Sequence, residues 1–330
     1  MTLLTEYDAL LLDLDGTVYR GGDAIDGAEE AIRAAHQAGV AVRFVTNNAS
    51  RGPQDVAAQL NRLGIPAKPD EVTTSAQAGA GLLVDRVSPG ADVLVVGTDA
   101  LAAEVSARGF RPVREAGPGV AAVVQGLSQD IGWRDLAEAA LAIRAGALWV
   151  ACNNDRTLPT ERGLLPGNGA LVMAVRVATD AEPLVAGKPQ RPLMDDAIRA
   201  TDASHPLAVG DRLDTDIAGA VTVGIDSLLV LTGVSTAAAL LTATAGRRPT
   251  YVAADLRDIA TDGTRIAPQP DWRVDGDTLA YVGDGTPEPF AALRALCAAW
   301  WASEDAPAAV RPLDDAARAA VERLGLPTAS

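Results

Sequence analysis

One repeated punctuation limits what this chain can fold into: short apolar runs that each stop at acids, amides or glycine. Residues 9–14 read ALLLDL and lead into Asp15-Gly16-Thr17. Residues 40–45 lead into Thr46-Asn47-Asn48, and residues 206–209 into Gly210-Asp211-Arg212-Leu213-Asp214-Thr215-Asp216. Amphipathic stretches at 27–38, 54–63 and 215–223 lie between or after them, and 227–231 is a further apolar run. Continuous apolar runs alternating with helical patterns predict a parallel sheet covered on both faces. Gly39 and Gly64 stand where a helix needs a left-handed residue to stop.

The middle of the chain repeats this alternation by itself. Strands are predicted at 93–96, 120–124 and 148–151, and helices at 76–87, 100–108, 133–145 and 170–179. This is enough for an α/β unit inserted into the first one. The division expected is a discontinuous core of residues 1–75 and 186–263, an insert of 76–185 and a C-terminal extension of 264–330. The extension holds Trp272, Trp300 and Trp301, three of the five tryptophans, and a stripe of Phe290, Leu293, Leu296, Trp300 and Trp301 at helical spacing. It reads as a small folded α+β piece without chemistry of its own, with a last helix opened by Pro312 and acids Asp314 and Asp315 in its first turn.

Composition narrows the chemistry. With 48% hydrophobic residues in 330 the chain can bury a core, and no apolar run approaches the roughly 20 residues of a membrane span. The N-terminal run ends in acids and follows no basic segment, so it reads as a strand and not a signal peptide. Cys152 and Cys297 form no disulfide framework and suit a reducing cytosol, the expected location. His36 and His205 are too few for a histidine metal site, which leaves a hard cation held by carboxylates. The net charge of −15 repels nucleic acid and anionic membranes, so neither is expected as a partner. Lysine occurs only as Lys68 and Lys188, which singles out each.

Four strand-end segments carry the candidate chemistry. If the first strand runs on through Asp15, its period of two puts Asp13 and Asp15 on one side, and Gly16 lets the backbone approach an anion. Paired carboxylates can hold Mg²⁺, or divide the work of nucleophile and proton carrier; an ordinary Asp-Gly turn is the plain alternative. Thr46, Asn47 and Asn48 offer donors to phosphate oxygens, or simply cap a helix. Lys188, between Gly187 and Pro189, can neutralise a phosphoryl group, or be a solvated lysine. Asp211 is the natural metal ligand of the fourth segment. Asp214 or Thr215 can cap a helix there, and Asp216 can steady Lys188 or a water near the metal. In an open α/β sheet all of these ends lie along one ligand-binding edge, and the inventory suits phosphoryl transfer.

DLDGT, VTNN, GKP and GDRLDTD, in this order, resemble the four motifs of the haloacid dehalogenase superfamily. LDLDGTVYRG, FVTNNASR, AGKP and GDRLDTDI with LVLTGV are similar to its class IIA phosphatases, over about residues 7–260. The resemblance implies a Rossmann-like core with a mobile inserted cap. It also implies Asp13 as nucleophile through an aspartyl-phosphate, Asp15 as acid and then base, and Mg²⁺ held by Asp13, the Asp15 carbonyl and Asp211. Thr46, Asn47, Asn48 and Lys188 would bind the phosphoryl group, with Gly16, Thr17 and Asp216 in support. The segment Ala151-Cys152-Asn153-Asn154-Asp155, with Pro159-Thr160-Glu161-Arg162-Gly163 and Pro166-Gly167-Asn168-Gly169, is similar to the cap segment that selects the leaving group. Asn153, Asp155, Arg156 and Arg162 are the candidates there, solvated arginines being the plain reading of the last two. Likeness to actinobacterial members makes glycerol 3-phosphate the first expected substrate, before phosphoglycolate, a nucleotide or pyridoxal phosphate. A mutase or dehalogenase on the same fold, or a catalytically weak sensor, are the rival readings. The subgroup often dimerises through its caps.

Overall fold

The computed structural model describes residues 2–160, 162–303 and 307–329. Val93-Leu94-Val95-Val96 shows why the middle of the chain folds as it does. A strand sends alternate side chains to opposite faces. Val93 and Val95 pack with Ala76, Ala80, Leu83, Leu101 and Val105, while Leu94 and Val96 pack with Ala139, Ala142, Ile143, Val172 and Val175. Both faces are apolar, so both are covered by helices. The sheet is wholly parallel, in the order Leu184–Val185, Leu148–Ala151, Val120–Gln125, Asp92–Val96, Arg111–Val113. Helices Ser75–Gly81 and Asp99–Ala107 lie on one face, and Trp133–Arg144 and Asn168–Thr179 on the other. The predicted helix 76–87 stops at Gly81: Gly79 and Gly81 are poor helix formers, and the chain goes on as single turns to Val87. An exposed hairpin missing from the sequence reading, Thr157–Thr160 with Gly163–Pro166, precedes Asn168.

These elements belong to a compact unit, Arg43–Asp202, which also holds the end of strand Ala41–Thr46, its parallel partner Val72–Thr74 and helices Pro53–Arg62 and Arg191–Thr201.

The other unit is made of Met1–Val42 and Ala203–Ser330. Its parallel strands Ala9–Leu12, Pro206–Gly210, Ser227–Val230 and Tyr251–Ala253 pair in that order, and nearly every residue in them is fully buried. Helix Ala28–Gln37 runs between two left-handed glycines, Gly27 and Gly39. The first strand is shorter than predicted, because Leu14 closes a turn: its carbonyl accepts from Thr17, Val18 and Tyr19. The predicted helix 215–223 begins instead with one wide (π) turn, Leu213–Ile217, and only Ala218–Val223 is α-helical. Such wide turns concentrate at functional sites.

The C-terminal extension is folded, as the tryptophan stripe implies. Hairpin Trp272–Asp275 and Thr278–Tyr281 joins Arg311–Pro312 in a three-stranded sheet, beside helices Pro289–Trp301 and Asp315–Arg323. Pro312 is in a strand and does not open the last helix; Asp314 caps it, accepting from Ala317 N at 2.8 Å. Trp272, Leu293, Leu296 and Trp300 share one core with Leu213, Ile217, Leu240 and Val252. The extension is therefore continuous in packing with the wide turn that carries Asp214 and Asp216.

Candidate active site

In the unit that holds Asp13, the strand ends gather carboxylates. Asp13 N donates to Val209 O at 2.8 Å, extending the ladder by one bond past Leu12. Ligand atoms of Asp13, Asp211 and Asp216 all lie within 4.8 Å of one another; Asp211 and Asp216 are buried and Asp13 is half-buried. Charges of like sign at such spacing repel, and a hard cation with oxygen ligands answers that repulsion. The donor set fits Mg²⁺.

Glycines make the crowding possible. Gly16, at φ +90°, lies so close to Asp211 that a Cβ would stand 2.6 Å from its Oδ2, and a Cβ on Gly233 would overlap the same carboxylate. Gly210 is bare for a like reason, against Asp216. Val234 N donates to Asp211 Oδ2 at 2.6 Å, Ser235 N to the Asp211 carbonyl at 3.1 Å, and Thr232 Oγ1 to Gly16 O at 2.6 Å. Sequence reasoning missed this Thr232–Ser235 loop as a support, although TGV stands at the end of the third parallel strand of this unit, Ser227–Val230, and the strand-end rule applied to it as well. The wide turn is fixed by Asp216, whose Oδ2 accepts from Arg212 N at 3.1 Å. Asp214 is no helix cap: it pairs with the Arg212 guanidinium at 2.9 Å. Burial pushes its carboxyl up, but Arg212 outweighs that and holds it below the ordinary range. Asp15 lies outside the carboxylate group and is exposed; its turn pairs with Tyr19. Thr17 is fully buried beside it.

The other unit gathers amides. Thr46 is 3% exposed, and its Oγ1 accepts from Asn48 N at 3.0 Å. Asn48 Oδ1 accepts from both Ser50 N and Ser50 Oγ. Neither residue caps the next helix, which starts at Pro53 behind Gly52. Lys188 is 4% exposed, no solvated lysine, and its Nζ donates to Val45 O at 2.9 Å. Asn47 holds Lys188 by its main chain, through Lys188 N to Oδ1 at 2.8 Å and Nδ2 to the Lys188 carbonyl at 3.0 Å. Asn153 donates to Asn47 O at 2.7 Å, and Asp155 receives Asn47 Nδ2. Arg156 and Arg162 are exposed, as solvated loop arginines would be; Glu161 lies outside the described residues. Cys152 is fully buried, which pushes its thiol up to about 12 and leaves it an inert packing group.

Comparison with known proteins bears on both sets. Residues 10–111 match the model of the haloacid dehalogenase-like hydrolases, and residues 185–259 match a second hydrolase model of the same kind. The chain is 48% identical to D-glycerol 3-phosphate phosphatase of Mycobacterium tuberculosis, over 98% of this chain and 96% of that one. The chain belongs to the haloacid dehalogenase-like hydrolase family. The fold of this haloacid dehalogenase-like hydrolase superposes on a crystal structure of a glycerol phosphate phosphatase from the same organism, in complex with magnesium. The TM-score is 0.92 at 50% identity, with 99% of both chains covered. An acid sugar phosphatase of Staphylococcus saprophyticus is 38% identical over 78% of this chain and 98% of its own length. Residues 269–326 match a GCN5-related N-acetyltransferase-like domain, so the extension, which lies outside the hydrolase motifs, has a likeness of its own. No short motif in the sequence signalled it.

Proposed function

We propose that this phosphatase hydrolyses glycerol 3-phosphate to glycerol and phosphate in the cytosol, with Mg²⁺ as cofactor. The observation that carries the phosphoryl chemistry is the carboxylate group of half-buried Asp13 with buried Asp211 and Asp216. The likeness to glycerol phosphate phosphatases over the full chain supports the choice of substrate.

In this reading Asp13 attacks phosphorus while the bond to the alcohol oxygen breaks, and Asp15 gives its proton to the leaving oxygen. Asp15 then takes a proton from water, which attacks the aspartyl-phosphate and frees phosphate and Asp13. The exposure of Asp15 supports that role, since its carboxyl can reach the leaving oxygen in one step and the attacking water in the next. Asp13, Asp211 and the Asp15 carbonyl would hold Mg²⁺, with Asp216 beside them; the ion would supply charge stabilisation when bound. Thr46, Asn48, the main chain at Asn47 and Lys188 would bind the phosphoryl oxygens. The functional division follows the motifs: 1–75 and 186–263 as catalytic core, 76–185 as cap, 264–330 as an extension.

The partner is a small phosphorylated metabolite, with no nucleic acid and no membrane. No helix among the described residues is long and apolar enough to cross a bilayer. A second copy of the chain is proposed to bind at the cap. Helix Asn168–Thr179 exposes Ala170, Met173, Ala174, Val177 and Ala178, an apolar face at helical spacing with Val177 76% exposed.

Phosphate release with Mg²⁺ across glycerol 3-phosphate, phosphoglycolate, pyridoxal phosphate, UMP and p-nitrophenyl phosphate tests this reading. The highest kcat/KM is expected for glycerol 3-phosphate; a clear preference for another ester would overturn the substrate, and no release from any ester the activity.

A further inference from the structure

The polar atoms of the Asn47 side chain all bond within the protein. Its Oδ1 accepts from Lys188 N at 2.8 Å. Its Nδ2 donates to the Lys188 carbonyl at 3.0 Å and lies 3.2 Å from both carboxylate oxygens of Asp155. A side-chain amide has two N–H bonds, and these partners take both. They also fix which end is which: reversing the amide would set NH₂ against an N–H and oxygen against a carboxylate.

The main chain of Asn47 is held as firmly. Its carbonyl accepts from Asn153 Nδ2 at 2.7 Å and from Ser75 Oγ at 2.5 Å. Ser75 is fully buried and Asn153 is 5% exposed. The carbonyl of Asn153 in turn accepts from the buried Asn168 at 2.7 Å. Close approaches leave the loop little freedom. A Cβ on Gly187 would stand 2.6 Å from Asn47 Oδ1 and 2.7 Å from Cys152 O, and Cβ atoms on Gly167 and Gly169 would overlap the carbonyls of Asp155 and Asn154.

Three segments distant in sequence thus meet at one amide: the end of strand Ala41–Thr46, the 152–155 loop and the Gly187-Lys188-Pro189 turn. We infer that Asn47 is a positioning residue whose side chain fixes Lys188 relative to Asp155 and is not itself a phosphate ligand. It ties the lysine that answers phosphoryl charge to the loop of Asp155. This rests on the reading of Lys188 as the phosphoryl cation. Lys188 acts most where negative charge develops, so its displacement lowers kcat more than it raises KM.

The test compares Asn47→Asp, Asp155→Asn, their double variant and Ser75→Ala on whichever ester the wild type turns over, with Mg²⁺ present. Asn47→Asp removes both donors and sets two carboxylates together. The double variant exchanges amide and carboxylate, which restores a donor–acceptor pair and keeps an acceptor for Lys188 N. A loss of about 10²-fold in kcat is expected for Asn47→Asp, the scale of a small misplacement of reacting groups, with KM changed about threefold at most. The exchanged pair should recover roughly tenfold of that loss, as coupled neighbours do. Ser75→Ala, which adds no charge, should lower kcat about threefold, on the scale of one lost hydrogen bond, with the melting temperature lowered by a few degrees at most. Wild-type kcat in Asn47→Asp, or an exchanged pair no better than the product of the singles, overturns the proposal. Should Asn47→Asp not fold, an unchanged kcat in Ser75→Ala overturns it. A wild type that releases no phosphate sinks the phosphatase reading instead.

Discussion

Asp211 and Asn47 each follow a buried parallel strand, yet their surroundings are of opposite kinds. Around Asp211 the nearest side chains are further carboxylates, admitted by bare glycines at positions 16 and 233. Around Asn47 donors meet acceptors, in a chain from Asn168 through Asn153 and Asn47 to Lys188 and Asp155. The first environment is electrically incomplete: it gathers negative charge that a cation must offset. The second pairs the Asn47 amide wholly within the protein, with no like charges set together there. One half of the machinery should therefore answer to metal and protons, the other to geometry alone.

The sharpest way to break this contrast is at its acidic end. Asp13→Asn keeps size and hydrogen-bonding capacity but removes the nucleophile, and phosphate release should fall by at least about 10⁴-fold with melting temperature retained. Normal turnover would remove Asp13 from its role. Next in size is the metal. EDTA should abolish turnover and Mg²⁺ restore it, and added Mg²⁺ should raise the melting temperature of the wild type by mass action but not that of Asp211→Asn. Equal stabilisation of both would place the ion elsewhere. Gly233→Ala pushes a methyl group into the Asp211 carboxylate and should weaken Mg²⁺ binding about 10–100-fold by calorimetry, the usual cost of disturbing a ligand's supports.

Smaller effects sharpen the contrast. Leu293→Ala, in the core that the extension shares with Leu213 and Ile217, should cost about 2–5 kcal/mol in urea unfolding. Because that core backs the wide turn, Mg²⁺ affinity should fall with it, whereas an equal loss of stability produced in the Arg43–Asp202 unit should leave Mg²⁺ affinity unchanged. The least effect belongs to Asp214. Its folded carboxyl is depressed by Arg212, so its contribution is present above the unfolded value of about 3.9 and is lost as pH falls through the folded one. Asp214→Asn should cost less than about 1 kcal/mol at neutral pH, since the pair is half exposed, and nothing in strong acid.

Much of this was legible in the sequence. Short continuous apolar runs alternating with helical stretches announced both sheets, and Gly39 and Gly64 marked two helix ends, because burial and backbone sterics act locally. Asp13, Asp211 and Lys188 stood out by residue type at predicted strand ends. Other features escaped because they depend on three-dimensional approach. Gly233 matters only for what lies against it, and nothing in TGV says that a carboxylate does. The wide turn at Leu213–Ile217 comes from one extra residue between hydrogen-bonded partners, which helical periodicity cannot detect. Asn47 reads as a phosphate donor or a cap until its partners 100 residues and more away are known. Thr157–Thr160 and Gly163–Pro166 were missed because they are exposed and carry no apolar alternation.

Strand Ala9–Leu12 has a consequence for how the enzyme is made. Its in-register partner, Pro206–Gly210, is synthesised long after it, whereas the five-stranded sheet of the other unit is drawn from one continuous stretch. Domains fold as units while the ribosome works through the message. The middle of the chain can thus close on itself early, while Asp13 waits for Val209 and Asp211 to emerge. The carboxylate group cannot assemble on a product that ends before Asp211, because two of its three members are then missing.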